Sequence, residues 1–190
     1  MKARRSALLL GATLMFLCSS CIVRSVEPWL KDDTLVFEDD LLGGWIGKDA
    51  QGSDVAMTFL RKENGKAYIV QFTSKDGSGT FVGQLGKFGS DYYLDFCPAE
   101  GAKGLDGFML FPTHSVARLR IGPDSIVVRP LDYEAVKAAA KLDRLRNVKY
   151  FWEDDDLVFV SSSEDLQRFL LGLGSDSNLF APPMNLSRRK

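Results

Sequence analysis

Residues 54–74 read DVAMTFLRKENGKAYIVQFTS. In the first half Val55, Met57 and Phe59 alternate with Ala56, Thr58 and Leu60, and in the second half Tyr68, Val70 and Phe72 fall on one face. Strand side chains point to opposite faces in turn, so a period of two predicts two half-buried strands. Asn64-Gly65 between them is the dipeptide that best tolerates the positive-φ backbone of a tight hairpin turn. The stretch is therefore an antiparallel hairpin, and the same pattern continues downstream. KDGSG (75–79) is a turn, TFVGQLGKF (80–88) and DYYLDFC (91–97) are strands, and a glycine-rich loop, AEGAKGLDG (99–107), follows. MLFPTHSVARLRI (109–121), the turn GPD (122–124) and SIVVRPL (125–131) complete a run of short strands at near-regular spacing. Such spacing favours an antiparallel sandwich or barrel over a parallel sheet.

The period then changes. LDYEAVKAAAKLDRL (131–145) places Tyr133, Val136, Ala139, Ala140 and Leu142 at helical spacing behind Asp132, a residue suited to an N-cap. A further hairpin, VKYFW and LVFVS about the turn EDDD (153–156), precedes a capped helix in SSSEDLQRFLLGLG (161–174). The expected architecture is mainly β with minor α: an antiparallel meander closing into a barrel-like domain over 38–174, with two short helices in its C-terminal part. Residues 21–37 read as a tether, and 175–190, ending APPMNLSRRK, as a polar disordered tail.

GGW at 43–45, opening the first strand of this meander, resembles the Gly-x-Trp signature of lipocalins and related calycin barrels. The resemblance implies that Trp45 plugs the closed end of a barrel and packs under a basic residue from the last strand. The helix inserted at 131–145 departs from the usual lipocalin order. As a whole the chain resembles small bacterial lipoproteins that pair such an opening with an ending like LVFVSSSEDLQRFL, a likeness that implies no particular activity.

The N-terminal residues assign a location. Lys2, Arg4 and Arg5 form a basic region, Ala7–Leu17 an apolar one, and Ser19 and Ser20 lead into Cys21, which is the layout of a secretory signal over residues 1–20. LCSSC at 17–21 resembles a bacterial lipobox, although Cys18 stands where that motif prefers Leu. The resemblance implies acylation of Cys21, which becomes the mature N-terminus, and Ile22 after it implies transport to the outer membrane with the domain facing the periplasm. A redox or zinc role for Cys18 and Cys21 would need a strand before them and a helix after them in a folded domain. A retained membrane span would need a longer apolar run than Ala7–Leu17 supplies.

Composition narrows the rest. With the signal set aside, 21 of the 24 basic residues remain against all 25 acidic ones, because Lys2, Arg4 and Arg5 fall within it. That balance argues against a phosphate-binding surface and so against nucleic acid. Apart from Cys21 the mature chain keeps only Cys97, which leaves no disulfide within it, so packing must hold the domain. Cys97 itself, ending DYYLDFC, reads as a small buried hydrophobe.

No catalytic, metal or cofactor site is expected. His114 is the only histidine, and no nucleophile-elbow pattern accompanies it. It supports an envelope hydrolase only as a remote alternative. Asp154, Asp155 and Asp156 are adjacent, whereas calcium loops space their oxygens on alternate residues about a glycine, so they read as a hairpin turn. GSGTFVG (77–83) lacks the Lys-Ser/Thr ending of a phosphate loop and precedes a strand. Aromatic residues recur at alternating positions, among them Phe59, Tyr68, Phe72, Phe81, Tyr92, Phe96 and Phe111. They either fill a barrel or line an apolar cavity, with filling the plainer reading, while Gly83 and Gly86 leave room on the wall. Two functions follow: a non-enzymatic envelope lipoprotein acting through protein contacts, and a small barrel binding an apolar ligand such as a fatty acid or lipid fragment. The membrane is a partner in both.

Overall fold

The computed structural model describes residues 22–63, 65–99, 113–154, 156–174 and 177–190. The signal segment, Cys18, Cys21, Asn64, Phe111 and Asp155 lie outside them.

Eight strands close into an antiparallel barrel. They are β3 (Gly43–Lys48), β4 (Asp54–Arg61), β5 (Ala67–Ser74), β6 (Gly77–Phe88), β7 (Asp91–Pro98), β8 (Ser115–Ile121), β9 (Ser125–Pro130) and β12 (Met184–Arg188). Each of β3 to β9 pairs with the next in sequence, and β12 lies between β9 and β3. The hairpin read from residues 54–74 is β4 and β5, with Met57 opposite Phe72 and Phe59 opposite Val70. Its inward set, Val55, Met57, Phe59, Tyr68 and Val70, is buried, as the period of two requires.

The barrel is closed by the segment expected to be a disordered tail. Asn185–Arg188 pair with Lys48–Trp45, and Met184–Ser187 pair with Val128–Ser125. MNLSR does alternate, with Met184 and Leu186 inward, but only two apolar side chains mark it. What fixes the strand is backbone pairing on both sides, which removes the two open edges that β3 and β9 would otherwise present.

The expected tether is also part of the fold. β1 (Arg24–Ser25) runs parallel to β11 (Asp156–Phe159), which pairs antiparallel with β10 (Tyr150–Glu153), and β2 (Leu35–Val36) pairs with β6. Val23, Trp29 and Leu30 are buried in a second core outside the barrel wall, shared with Phe159 and with the helices α1 (Tyr133–Lys141) and α2 (Ser163–Gly172). The Trp29 ring meets Phe159 edge-on at 5.3 Å. Its backbone N–H donates to Oδ2 of buried Asp95 at 2.8 Å. A large aromatic with a place to bury and a partner for its backbone does not remain in a tether. Both helices start at the expected caps: Asp132 accepts from Ala135 N at 2.8 Å, and Ser162 Oγ accepts from Asp165 N at 3.3 Å.

Candidate functional site

The two ends of the barrel differ. One is sealed around Trp45, which is fully buried and donates its Nε1–H to the Leu41 carbonyl at 2.9 Å. The short 3-10 turn Asp39–Leu41 lies across this end. Arg188, on the last strand, holds its guanidinium 4.3 Å from the Trp45 ring and donates to the Leu42 carbonyl at 2.8 Å and the Asp40 carbonyl at 2.6 Å. A planar, permanently charged fork stacked on an indole suits this arrangement. Gly43 has φ +108°, a conformation that side chains other than glycine rarely adopt. The basic residue that the resemblance implied is therefore present, on a strand the sequence reading had placed in the tail. The geometry is consistent with a lipocalin-like fold.

Phe59 and Tyr68 belong to this sealed end and are fully buried. The Tyr68 hydroxyl accepts from Glu38 N at 2.8 Å and donates to the Glu38 carbonyl at 3.2 Å, and Phe37 stacks on its ring at 4.5 Å. Burial pushes the Tyr68 phenol up to about 12. Tyr92 sits at the rim of the same end, donating to Glu38 Oε1 at 2.8 Å and accepting from Lys87 Nζ at 2.9 Å. None of the three is among the residues that line the cavity at the opposite end.

The opposite end is hollow. A cavity of about 290 Å³ is lined by Phe72, Phe81 and Phe96 together with Met57, Val70, Leu94, Ala117, Val128 and Met184. Phe72 comes from the end of β5, Phe81 from early β6, Phe96 from the end of β7 and Met184 from the start of β12. In an antiparallel barrel those positions share the end away from Trp45 and Arg188. Phe81 and Phe96 meet edge to face at 5.6 Å on its wall. Among the described residues the interior is filled at the Trp45 end and open at the other. The glycines do not create the space. A Cβ on Gly83 would come within 2.9 Å of Val70 and 3.0 Å of Leu94, and one on Gly86 would meet Leu30 at 3.2 Å, so neighbours already occupy both gaps.

Among the described lining residues two are polar, Ser115 and Asp132. Ser115 Oγ donates to the Val23 carbonyl at 2.9 Å, and Asp132 caps α1. No Lys or Arg is among the described lining residues. The described wall selects by shape and apolarity, the chemistry of a hydrocarbon chain. Of six candidate lining residues three line the cavity. Met57 and Val70 belong to the same alternating faces as the aromatics and line the cavity with them. Ile22, Val23 and Ala181, also on the wall, carry no such signal, because the termini bring them there.

His114 Nδ1 lies 2.9 Å from Oδ1 of buried Asp95. A carboxylate on a His nitrogen is also how a catalytic base is oriented, but the neighbouring hydroxyls are otherwise engaged: Ser25 Oγ donates to the Glu27 carbonyl at 2.7 Å and Ser115 Oγ to the Val23 carbonyl at 2.9 Å. The His114 backbone pairs with Ser25 in both directions, at 2.9 and 2.8 Å. The pair ties β1 to the barrel wall. Among the described residues no three His, Cys, Asp or Glu side chains are grouped to hold a metal, and no helix is long and apolar enough to cross a membrane. Cys97 is half-buried on β7 opposite Val82, rather than in the core. Asp154 has φ +53°, as a turn residue does.

A scan against protein-family models, a search of curated proteins and a search of solved structures each found no match to this chain.

Proposed function

We propose that the chain is an exported, non-enzymatic lipoprotein with a lipocalin-like barrel, acylated on Cys21 and held at the bacterial outer membrane with its domain in the periplasm, and that it binds one apolar chain. The observation that carries the reading is the apolar cavity of about 290 Å³ with no Lys or Arg among its described lining residues. Small-molecule sites start near that size, at roughly 300 Å³, and are mostly apolar with few polar groups. One hydrocarbon tail of a fatty acid or lipid fragment suits the space. A carboxylate or headgroup would stay at the mouth, since Asp132 is the charged residue among the described lining residues and its carboxylate repels an anion. The hollow end moves ligand binding ahead of a role in protein contacts, which a filled barrel would have favoured.

Mass spectrometry of organic extracts from the full chain, purified from membranes in mild detergent, tests this. An acyl-bearing molecule should co-purify at near one per protein and be lost from Ala117→Phe, which fills the cavity from its wall. Equal recovery from both proteins would count against the barrel as the binding site.

A further inference from the structure

The outer wall of the barrel over β8, β9 and β12 carries a second concavity, and the pairing register fixes what surrounds it. Ala117 and Leu119 point into the barrel from β8, so Arg118 and Arg120 point outward. Ile126 and Val128 point inward from β9, so Val127 and Arg129 point outward, and Asn185 does the same on β12 between inward Met184 and Leu186. Arg118 stands directly opposite Arg129. Val127 has Arg120 opposite it on one side and Asn185 on the other. The short Val127 side chain is therefore a floor with longer polar side chains around it. The pocket measures about 300 Å³, Pro183 completes its rim, and no Asp or Glu is among its described lining residues.

Like charges directly opposite each other on one face destabilise a sheet, so two arginines in that position need an offset. Arg129 donates its Nε–H to the Ala181 carbonyl at 2.9 Å and from Nη2 to the Phe180 carbonyl at 3.2 Å. Carbonyls orient a guanidinium without neutralising it, and Arg129 takes part in no ion pair among the described residues. Arg118 lies deeper, buried, and donates to the Gly174 carbonyl at 3.3 Å. The Phe180 ring serves both cations, with Arg118 at 4.9 Å and Arg129 at 5.9 Å from its centroid. Arg120 is exposed and is steered by one bond, from Nε to Asp91 Oδ1 at 3.2 Å. Among the described residues Arg129 Nη1 and both Nη atoms of Arg120 have no protein partner.

The pocket thus holds guanidinium forks that the protein has already oriented, with the Asn185 amide beside them. Such forks bond the oxygens of a phosphate in pairs, and charge assistance makes these bonds strong. Two forks and an amide suit the three terminal oxygens and nearly double charge of a phosphate better than the two oxygens of a carboxylate. We infer that this pocket on the outer wall binds a phosphate group, free or carried on a small ester, with Arg129 and Arg120 donating to its oxygens and Asn185 adding an amide donor. The acidic balance of the mature chain argues against a broad phosphate-binding surface, but the register gathers three arginines at this one place. The site is separate from the apolar cavity, since Arg129 and Asn185 point outward where their neighbours Val128 and Met184 line the barrel interior.

Calorimetric titration of the full chain in mild detergent with inorganic phosphate, at low ionic strength, tests the site. Wild type should take up one phosphate per chain saturably, and Arg120→Gln and Arg129→Gln should each weaken binding at least tenfold. Asn185→Asp keeps the side chain's shape at an exposed strand position and sets a carboxylate among the arginines. It should abolish binding while leaving the urea midpoint equal to wild type or higher, so the test stands even if Arg129→Gln fails to fold. Lys62→Gln, which removes an exposed cation from the β4–β5 turn, should bind as wild type does. Glycerol 3-phosphate that displaces inorganic phosphate identifies an esterified group as the ligand, and failure to displace it identifies the free ion. Absence of saturable uptake by wild type, undiminished uptake by Asn185→Asp, or equal weakening by Lys62→Gln overturns the site.

Discussion

Removing the Trp45 side chain should cost more than any other single change at the sealed end. The ring is fully buried, and truncating a buried large aromatic to Ala costs about 3–5 kcal/mol through lost transfer energy and the cavity left behind. Two further losses place Trp45→Ala in the upper part of that range. The Leu41 carbonyl loses its Nε1–H donor, worth about 1 kcal/mol. The Arg188 guanidinium loses the ring beneath it, although its bonds to the Leu42 and Asp40 carbonyls remain. Urea unfolding of wild type and variant reads the difference. With a slope of about 2 kcal/mol/M, a loss of 4 kcal/mol lowers the midpoint by about 2 M. An unchanged slope confirms that stability, and not the unfolded state, has moved. Trp45→Phe keeps most of the apolar area but loses the hydrogen bond and should fall between. A Trp45→Ala loss below about 0.5 kcal/mol, the range of an unremarkable surface change, would refute the plug and its part in closing the barrel.

Leu186→Ala should cost about 2–4 kcal/mol in the same assay, because Leu186 is buried on the closing strand; a near-zero change would return 184–188 to a free tail. Tyr68 adds an alkaline limit. Its folded-state pKa of about 12 lies above the unfolded value of about 10, so the folded state holds the proton more tightly. The corresponding stability is full below about pH 10 and is lost as pH rises towards 12, so Tyr68→Phe, though weaker at neutral pH, should show a shallower decline over that window. An equal decline in both proteins would assign the effect to other groups. Cys21→Ser should abolish incorporation of a clickable fatty acid and release the protein from membranes, whereas Cys18→Ser should not; persistent labelling of the Cys21 variant would reject the acylation site.

The meander was legible because its strands are long enough to repeat a period of two several times, as in Val55–Phe59 and Tyr68–Phe72. Both helices were legible from apolar spacing and the caps Asp132 and Ser162. The closing strand was not. Its five residues hold two inward apolar side chains, and its stability comes from partners on β3 and β9, more than fifty residues away in sequence. Trp29 in the expected tether could have warned that the segment packs, but its partners Asp95 and Phe159 are equally remote. The aromatic set located the barrel interior without dividing it. Which end is filled depends on residues 37–41 and Arg188 covering one mouth, and that is a property of the closed barrel.

Ligand uptake by the barrel is tested most directly by titrating the full chain in detergent with a fluorescent fatty-acyl probe, beside Ala117→Phe and Leu171→Ala. Ala117 lines the cavity, whereas Leu171 is exposed on α2 and reports any nonspecific partition of the probe. The expected result is saturable binding of one probe per chain in wild type and Leu171→Ala, and loss of at least tenfold in affinity, about 1.4 kcal/mol, in a folded Ala117→Phe. Binding that is unsaturable, or unchanged when the cavity is filled, would contradict the account.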